Sequence, residues 1–297
     1  MRSGGRVSRP GDTPPTATTP KRHPKQPPPL APPSPLVPSD QCLVPAPGVP
    51  MSSHRILDET FDLTPGLLIE VGGEEAHHAV KSKRLAAGDS VGLLDGRGRV
   101  ATARIEGVEK AGKGDWRLRL AVGEVEQAEP VRPWLEIVAA APKGPRLEGM
   151  IDQLSQAGAS SWRPLASDRV VVDPREGKLD RMGRVAKEAA KQCGRAYLMA
   201  IGGRMTLARA LAAPDEDGAK ARVLIADAGG APISKALAGE PGGSVRVLVG
   251  PEGGWTDEER ALAIAGGATA VGLGPHVLRT ETAAVVAAAL VRAATGA

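Results

Sequence analysis

Two segments near the C-terminus constrain the fold more than any other part of the sequence, because each runs from a strand through a glycine turn into a helix. They are Val247-Leu-Val-Gly-Pro-Glu-Gly-Gly-Trp-Thr-Asp-Glu-Glu259 and Val271-Gly-Leu-Gly-Pro-His-Val-Leu-Arg-Thr-Glu-Thr-Ala283. The apolar runs before the turns are typical of buried strands. Thr256 and Glu259 have the spacing of a capping box, which begins a helix. The two turns, on strands we predict to be adjacent, indicate one ligand site at the carboxyl edge of a parallel sheet.

The chain around these segments has the alternating texture of an α/β fold. After the Pro-Val-Arg-Pro linker at residues 130–133, predicted strands and helices alternate up to the C-terminus. We predict strands at residues 135–141, 162–166, 197–201, 221–226, 245–249 and 270–273. The predicted helices cover residues 146–157, 178–193, 207–213 and 233–238, and one more follows each glycine turn. Residues 130–297 therefore read as one mostly parallel α/β domain.

The apolar and alternating patterns of residues 51–129 predict a second, smaller domain made of short strands. Asp95-Gly96 separates two apolar or alternating runs, which is a strong hairpin signal. Residues 117–122 alternate strictly, as a half-buried strand does. The glycines at 96 and 98 loosely match a dinucleotide-binding fingerprint, but a strand pattern follows them where that fingerprint requires a helix. We interpret this region as a small β-barrel.

The first 50 residues differ in composition from the rest of the chain. They hold 15 of the 27 prolines, six Lys or Arg and two Asp or Glu. Such a segment buries too little apolar surface to offset its chain entropy, so we predict disorder. A transit peptide is poorly supported, and Met51 is an equally good candidate for the true start. The whole chain has a formal charge of +4, so residues 51–297 are formally neutral and global charge is no argument for nucleic-acid binding.

Cysteine and apolar content exclude several classes of protein. Only two cysteines, Cys42 and Cys193, are present, which excludes a disulfide framework or a cysteine zinc site and fits a reducing cytoplasm. No apolar run reaches the roughly 18 residues that span a membrane. The adjacent pair His77 and His78 has no third ligand nearby, so no metal site is predicted.

Basic residues cluster locally in two places. The first is residues 74–85, and the second is residues 143–195, where Arg181, Arg184, Lys187 and Lys191 share one predicted helix face. A solvated helix face explains either cluster alone, whereas their combination favours RNA contact. Our candidate substrate-binding residues are His77, His78, Lys81, Arg84, Lys143, Arg146, Arg169 and Arg195.

The chemistry of the glycine turns narrows their ligand. They lack the lysine of a P-loop, and Glu252 would repel phosphate. A carboxylate in such a turn suits a cationic or hydroxyl-rich ligand, such as the adenosyl-methionine sulfonium. Helix capping explains Thr280, Thr282 and Glu281 without any function. It does not explain Arg279, because a cation is unfavourable at a helix N-terminus, so we expect Arg279 to face an anion.

The two segments, Gly250-Pro-Glu-Gly-Gly254 and Leu273-Gly-Pro-His-Val-Leu-Arg-Thr-Glu-Thr-Ala283, resemble the signatures of the bacterial ribosomal RNA small-subunit methyltransferase E family. More loosely, the resemblance covers residues 54–295. It includes His77-His78, Arg84-Leu85 and Gly88-Asp89, which are similar to the family's PUA-like barrel. Lys143-Gly-Pro-Arg146, Glu188-Ala-Ala-Lys-Gln192 and Arg195 resemble its central basic motifs. The family belongs to the knotted SPOUT class and methylates N3 of a uridine in 16S rRNA.

The resemblance implies a SPOUT-type α/β knot, with a C-terminal trefoil knot, preceded by a PUA-like domain. It implies S-adenosyl-L-methionine (AdoMet) as cofactor, 16S rRNA or the small ribosomal subunit as partner, a homodimer and a cytoplasmic location. Arg279 is our candidate for stabilising the uracil anion, and Glu281 is a weaker candidate as base or loop organiser. His276 is a less favoured base. The candidate cofactor-binding residues are Leu248, Gly250, Pro251, Glu252, Gly253, Gly254, Leu273, Gly274, Leu278, Thr280 and Ala283.

The sequence departs from the family pattern in the helix at residues 150–158, where Gln153 and Gln156 replace a lysine and a glutamate. Asp227 replaces a usual glutamate, and the aromatic residue expected near Gly149 is missing. These changes affect RNA docking or the dimer contact and leave the cofactor turns intact. Two alternatives stay open: a knotted methyltransferase acting on another RNA, and an RNA-binding assembly factor that has lost catalysis.

Overall fold

The computed structural model describes Met1 and residues 54–297, apart from residues 113, 171, 216–217 and 240–242. The disorder predicted for residues 1–50 therefore lies outside the described residues, Met1 excepted. Within the described part the chain forms two sheets, one N-terminal and largely antiparallel, the other C-terminal and parallel.

The N-terminal sheet has five strands in the order β1-β3-β4-β5-β2, with β1 and β3 parallel and the other pairs antiparallel. Its elements are β1 (Arg55–Leu57), β2 (Leu68–Val71), α1 (Gly73–His77), a π-helix (His78–Ser82), β3 (Ser90–Leu94), β4 (Arg99–Lys110) and β5 (Trp116–Gln127). The predicted hairpin is confirmed between β3 and β4. Asp95 closes its loop by accepting hydrogen bonds from the amides of Arg97 and Arg99, at 2.8 and 2.9 Å. The region that matched a dinucleotide fingerprint leads into strand β4, as predicted.

The C-terminal sheet has the order β12-β10-β11-β6-β7-β8, with β9 also pairing β7, and all of these pairs are parallel. Its strands are β6 (Trp134–Ala139), β7 (Ser161–Ala166), β8 (Ala200–Ile201), β9 (Met205–Thr206), β10 (Arg222–Pro232), β11 (Ser244–Val249) and β12 (Thr269–Gly272). The helices are α2 (Arg146–Gln156), α3 (Glu176–Cys193), α4 (Leu207–Ala212), α5 (Ile233–Ala236), α6 (Asp257–Ala265) and α7 (Thr280–Thr295).

One prediction about this sheet is wrong. The strands that lead into the two glycine turns, β11 and β12, are not neighbours, because β10 lies between them and pairs with both. The order of strands depends on long-range pairing, which the local pattern of each segment does not reveal. Both turns nevertheless lie at the carboxyl edge, since all three strands run in parallel.

Strand β11 is buried on both faces along its whole length, as predicted, although it contains Arg246. The guanidinium of Arg246 forms an ion pair with Glu136 of β6 and donates to the main-chain oxygens of Ala210, Ala213 and Pro214. The carboxylate of Glu136 also accepts from Arg163 of β7 at 2.9 Å. A buried charge is tolerated only when it is paired and hydrogen-bonded, and this network ties the end of α4 to the centre of the sheet.

The alanine-rich helix α7 packs in the main core, as predicted. Near its C-terminus Arg292 reaches back and donates to the main-chain oxygens of Pro133 and Gly158. Burial lowers the pKa of Arg292 to about 10, and the nearby Arg195 acts in the same direction. None of the described helices is long and apolar enough to cross a membrane.

Helix α3 joins the two sheets through ion pairs. Lys191 contacts Glu75 of α1 at 2.6 Å, and Lys187 lies 3.6 Å from Glu59. A third member of the predicted basic face, Arg181, pairs with Glu148 of α2 at 2.9 Å. Much of this face is therefore engaged within the protein, which weakens the case for it as an RNA-binding surface.

His54 lies at this junction and makes stability depend on pH. Burial lowers the pKa of His54 below 6.5, His78, Lys191 and Lys83 lower it further, and Glu75 opposes them. The unfolded chain then binds more protons than the folded one, so this contribution to stability is present above pH 6.5 and is lost as pH falls below it.

We therefore expect acidification from about pH 7.5 to about pH 5.5 to lower the melting temperature of wild type more than that of His54→Gln, because glutamine does not titrate. Thermal unfolding followed by circular dichroism at several pH values measures this difference. Parallel pH curves for the two proteins would show that His54 is not responsible.

Candidate functional site

Three turns meet at the carboxyl edge of the C-terminal sheet and enclose a cleft of about 210 Å³. One turn interrupts β10 after its first part, and the other two follow β11 and β12. These are the three neighbouring strands at this end of the sheet. The cleft is lined by Ala226, Asp227, Ala228, Val249, Gly250, Pro251, Glu252, Gly254, Trp255, Arg260, Leu273, Gly274, His276, Val277, Leu278, Thr280 and Ala283. The carboxyl edge of a parallel sheet is the usual place for a ligand in such folds.

The turn within β10 is an excursion that the sequence analysis missed. Ala226 and Ala231 both pair with Val271 of β12, so residues 227–230 leave the ladder and then return to it. A Cβ added to Gly230 would lie 2.4 Å from main-chain atoms of Val271, closer than any side chain permits. The signal was present, since Asp227-Ala-Gly-Gly230 is another glycine turn after an apolar run, but we read it only as a strand end.

The first predicted turn is shaped by Trp255. A Cβ on Gly250 would lie 2.9 Å from the indole ring, so the ring packs directly on the main chain of the turn. The indole Nε1 donates to the main-chain oxygen of Ala226 at 2.9 Å, which ties this turn to the excursion in β10. The predicted capping box of Thr256 and Glu259 is confirmed at the start of α6.

The second predicted turn is joined to the first by Thr280. Its hydroxyl donates to the main-chain oxygen of Gly250 at 3.2 Å. Helix α7 has Arg279 as its N-cap and no side-chain capping hydrogen bond. Helix capping therefore does not account for Thr280, which instead fixes the distance between the two turns.

Charged side chains flank the cleft at one side. Arg146, at the start of α2, lies 3.3 Å from Oε1 of Glu281 and 3.7 Å from Oε1 of Glu252. The second oxygen of Glu281, Oε2, is buried and has no hydrogen-bond partner among the described residues. Arg279 is exposed, and its guanidinium makes no hydrogen bond or ion pair with the part of the chain that the structure describes. Glu281, with its unpartnered carboxylate oxygen, and Arg279, with its unpaired guanidinium, are thus two residues apart in the sequence.

Most of the predicted cofactor-binding residues line this cleft. The exceptions are Leu248, which is buried in the sheet, and Gly253, whose main-chain oxygen accepts from Arg169 at 2.6 Å. Several lining residues were not predicted, among them Ala228, Val249, Trp255 and Val277. Asp227, noted only as a departure from the family pattern, also lines the cleft and pairs with Arg260 at 3.0 Å.

The structure separates the predicted substrate-binding residues into three places. Lys143, Arg146 and Arg169 follow strands β6 and β7, so they lie at the same edge as the cleft. Arg195 follows α3 and donates to the main-chain oxygen of Ser155, and burial lowers its pKa to about 10. The others belong to the N-terminal part, in or next to α1 and the π-helix: His77, His78, Lys81 and Arg84.

The predicted substrate-binding residues of the N-terminal part differ in their contacts with the rest of the protein. The amine of Lys81 lies 5.2 Å from the centroid of the Trp116 ring, and Nδ1 of His77 lies 3.0 Å from the main-chain oxygen of Gly114. Arg84 has a φ of 58°, which is uncommon for a residue other than glycine. Among the described residues no cluster of His, Cys, Asp or Glu has the arrangement of a metal site.

Comparison with protein families decides the class of this fold. The family model for an RNA methyltransferase domain matches residues 129–292 of the sequence. The family model for an RNA methyltransferase PUA domain matches residues 71–111. The chain belongs to the RNA methyltransferase family. Its cleft at the carboxyl edge of the parallel sheet lies within the region that the first model matches.

Curated relatives of this RNA methyltransferase carry the name ribosomal RNA small subunit methyltransferase E. The protein of Mycobacterium bovis is 34% identical over 142 residues, which cover 46% of this chain and 52% of the relative. The protein of Synechocystis is 30% identical over 156 residues, which cover 52% of this chain and 47% of the relative. The chain thus spans about half the length of the curated relatives it matches. These matches confirm the family resemblance carried by the two glycine segments.

Solved structures of similar proteins show the same fold. A methyltransferase of Legionella pneumophila, in complex with the cofactor SAM (AdoMet), is 27% identical with a TM-score of 0.68, over 82% of this chain and 98% of that one. A ribosomal RNA small subunit methyltransferase E of Neisseria gonorrhoeae is 23% identical with a TM-score of 0.69, over 81% and 97%, and supports the fold alone. The predicted α/β fold with a PUA-like domain is confirmed, while the trefoil knot stays a prediction.

The close approach at Gly230 gives a test of how the three turns are held. We expect Gly230→Ala to lower the free energy of unfolding by about 2 kcal/mol or more, because its methyl group would overlap the main chain of Val271. Gly229→Ala is the matched control, since a Cβ there meets no atom within 4 Å. Urea unfolding measures both. Equal stability of the two variants would mean that β12 shifts easily and that the approach is not a constraint.

Proposed function

We propose that this RNA methyltransferase transfers a methyl group from AdoMet to N3 of a uridine in 16S rRNA, acting on the small ribosomal subunit or its RNA in the cytoplasm. The observation that carries the proposal is the pairing of a cleft built from three strand-end turns with two unsatisfied groups beside it, Oε2 of Glu281 and the guanidinium of Arg279. The names of the curated relatives support the substrate class.

The cleft suits AdoMet in its apolar lining and its charge. Apolar side chains such as Val249, Leu273 and Leu278 line it, and they suit an adenine ring. The main-chain groups of Gly250 and Leu278 are candidates to hold adenine and ribose. Glu252 supplies negative charge next to the cleft, which favours a cation over a phosphate. When bound, AdoMet supplies a methyl group activated by attachment to a positively charged sulfur.

The residues beside the cleft then act on the uracil. Glu281 accepts the N3 proton on its unpartnered oxygen while Arg146 holds the other oxygen in place. Breaking the N3–H bond leaves an anion, whose charge on O2 and O4 is stabilised by Arg279. The lone pair of N3 would then take the methyl group, whose bond to sulfur breaks so that the cofactor is left as a neutral thioether. General-base assistance of this kind contributes about 10²–10⁴-fold, and positioning supplies much of the rest.

The proposal also covers how the protein binds RNA and a second copy of itself. Lys143, Arg146 and Arg169 at the cleft edge, together with the basic residues of the PUA-like domain, bind RNA phosphates. We propose a homodimer and a trefoil knot as the family resemblance implies. Val277, in the second turn, is 93% exposed, and contact with a second subunit would cover it.

Analysis of modified nucleosides tests the reaction. Small-subunit rRNA from a strain lacking this protein is expected to lose N3-methyluridine, and the complementing gene restores it. Persistence of the modification in a strain with no second source of it would refute the assignment to this uridine. If calorimetry also showed no AdoMet binding at millimolar cofactor, a catalytically inactive assembly factor would fit better.

Substitution of Arg279 tests the assignment of roles. We expect Arg279→Ala to reduce methylation at least about 100-fold, because the uracil anion loses its counter-charge. AdoMet affinity measured by calorimetry should stay within about tenfold of wild type. Arg209→Ala, an exposed arginine on α4, is the matched control and should retain activity. A comparable loss of AdoMet affinity in Arg279→Ala would make this residue part of the cofactor site instead.

A further inference from the structure

A second, larger cavity of about 770 Å³ lies where the PUA-like domain meets helix α3. It is lined by residues at the start of β1, in α1, in and just after the π-helix, and near the end of α3. Both domains therefore contribute to its walls. None of its lining residues belongs to the cleft described above, although two of them, His77 and His78, are among the predicted substrate-binding residues.

Two buried polar atoms of residues in this cavity wall have no hydrogen-bond partner among the described residues. They are Nε2 of His54 and Oε2 of Glu75. The other carboxylate oxygen of Glu75 accepts from Lys191 at 2.6 Å, so the side chain is fixed and one oxygen is left over. Buried polar groups without partners are rare and costly, and two in one cavity wall indicate a ligand that supplies hydrogen bonds.

The other features of the wall indicate what kind of ligand fits. The rings of His54 and His78 have centroids 5.4 Å apart and are tilted by 44°, which gives the cavity an aromatic surface. Arg55, Lys83 and Lys191 add positive charge to the lining, and Glu74, Glu75 and Glu188 add negative charge. The described residues offer no metal-binding cluster, so the histidines and Glu75 do not form a metal site there. A planar ring that donates hydrogen bonds fits the aromatic surface and the carboxylates, and a phosphate joined to that ring would need to lie on the side of Lys83 and Arg55, away from the carboxylates.

We propose that this cavity binds one unpaired nucleotide of the RNA substrate, separate from the uridine that is methylated. The base donates an exocyclic amino hydrogen to Oε2 of Glu75, stacks on the histidine rings, and places its phosphate near Lys83. The inference rests on the proposed function for its choice of RNA as the ligand.

The free oxygen of Glu75 makes the cavity selective among bases. A carboxylate accepts hydrogen bonds only, so it favours the amino groups of cytosine, adenine and guanine. Uracil presents a single N–H between two carbonyl oxygens, and the carboxylate of Glu75 would repel these oxygens. The cavity therefore selects an amino-bearing base and discriminates against uracil, which also distinguishes it from the catalytic cleft.

Binding of short single-stranded RNAs to the full chain tests this inference. The probes are labelled uridine pentamers whose central base is uracil, cytosine, adenine or guanine, and fluorescence anisotropy gives the dissociation constants. Wild type is expected to bind at least one of the amino-bearing probes about tenfold more tightly than the all-uridine probe. Glu75→Gln should remove most of this preference, because one acceptor oxygen becomes a donor. His54→Asn should weaken binding of the preferred probe.

Two controls separate a ligand role from a structural one. Glu70→Gln removes an exposed carboxylate of β2 that is absent from the cavity lining, and it should leave the preference unchanged. His54→Asn leaves the ion pair of Lys191 with Glu75 intact, so weaker binding with an unchanged melting temperature at about pH 7.5 assigns the effect to the cavity. In Glu75→Gln, Lys191 retains Glu188 as a partner at 2.9 Å.

The outcomes distinguish this inference from the proposed function. Equal affinity of wild type for all four probes, or an unchanged preference in both cavity variants, would overturn the inference even if rRNA is methylated. Loss of the preference in the variants of a protein that binds no AdoMet would support the cavity and refute the proposed reaction.

Discussion

The close approach of two main chains, Gly230 in β10 and Val271 in β12, is the constraint on which the rest of the cleft depends. Because β10 leaves its ladder for four residues and returns to the same partner, its excursion lies beside the turns that follow β11 and β12. Trp255 then packs on Gly250 and bonds to Ala226, and Thr280 bonds to Gly250. Three turns from distant parts of the sequence are thereby fixed relative to each other, which preorganises a ligand site.

The arginines of this protein divide into those that stabilise the fold and those left for other contacts. Arg246 and Arg292 are buried, and each donates to several main-chain oxygens. Arg181 is engaged with a carboxylate of the same chain. Arg279 is exposed and has no such partner among the described residues. Counting basic residues in sequence therefore overestimates the surface available to RNA, and the position of each guanidinium decides what it can bind.

Local patterns predicted much of the secondary structure because the determinants are themselves local. The hairpin at Asp95-Gly96, the capping box of Thr256 and Glu259, and the buried strand at residues 245–249 all occur as predicted. The prediction that β11 and β12 are neighbours was wrong, since pairing across the sheet depends on residues far apart in sequence. The excursion at residues 227–230 was missed although its glycines are visible in the sequence, because only the approach of β12 shows why Gly230 is required.

The sequence by itself determined the fold class and the two glycine turns, since apolar periodicity and glycine positions act over a few residues. It also indicated that Arg279 lacks an ordinary structural role. Tertiary structure alone decided that β10 separates the two strands, that a third turn completes the cleft, and that Arg146 pairs with Glu281. It also brought His54 and Glu75 to one cavity at the junction with α3. These features depend on contacts between residues that only folding brings together, so a local pattern, such as the glycines of the third turn, does not reveal them by itself.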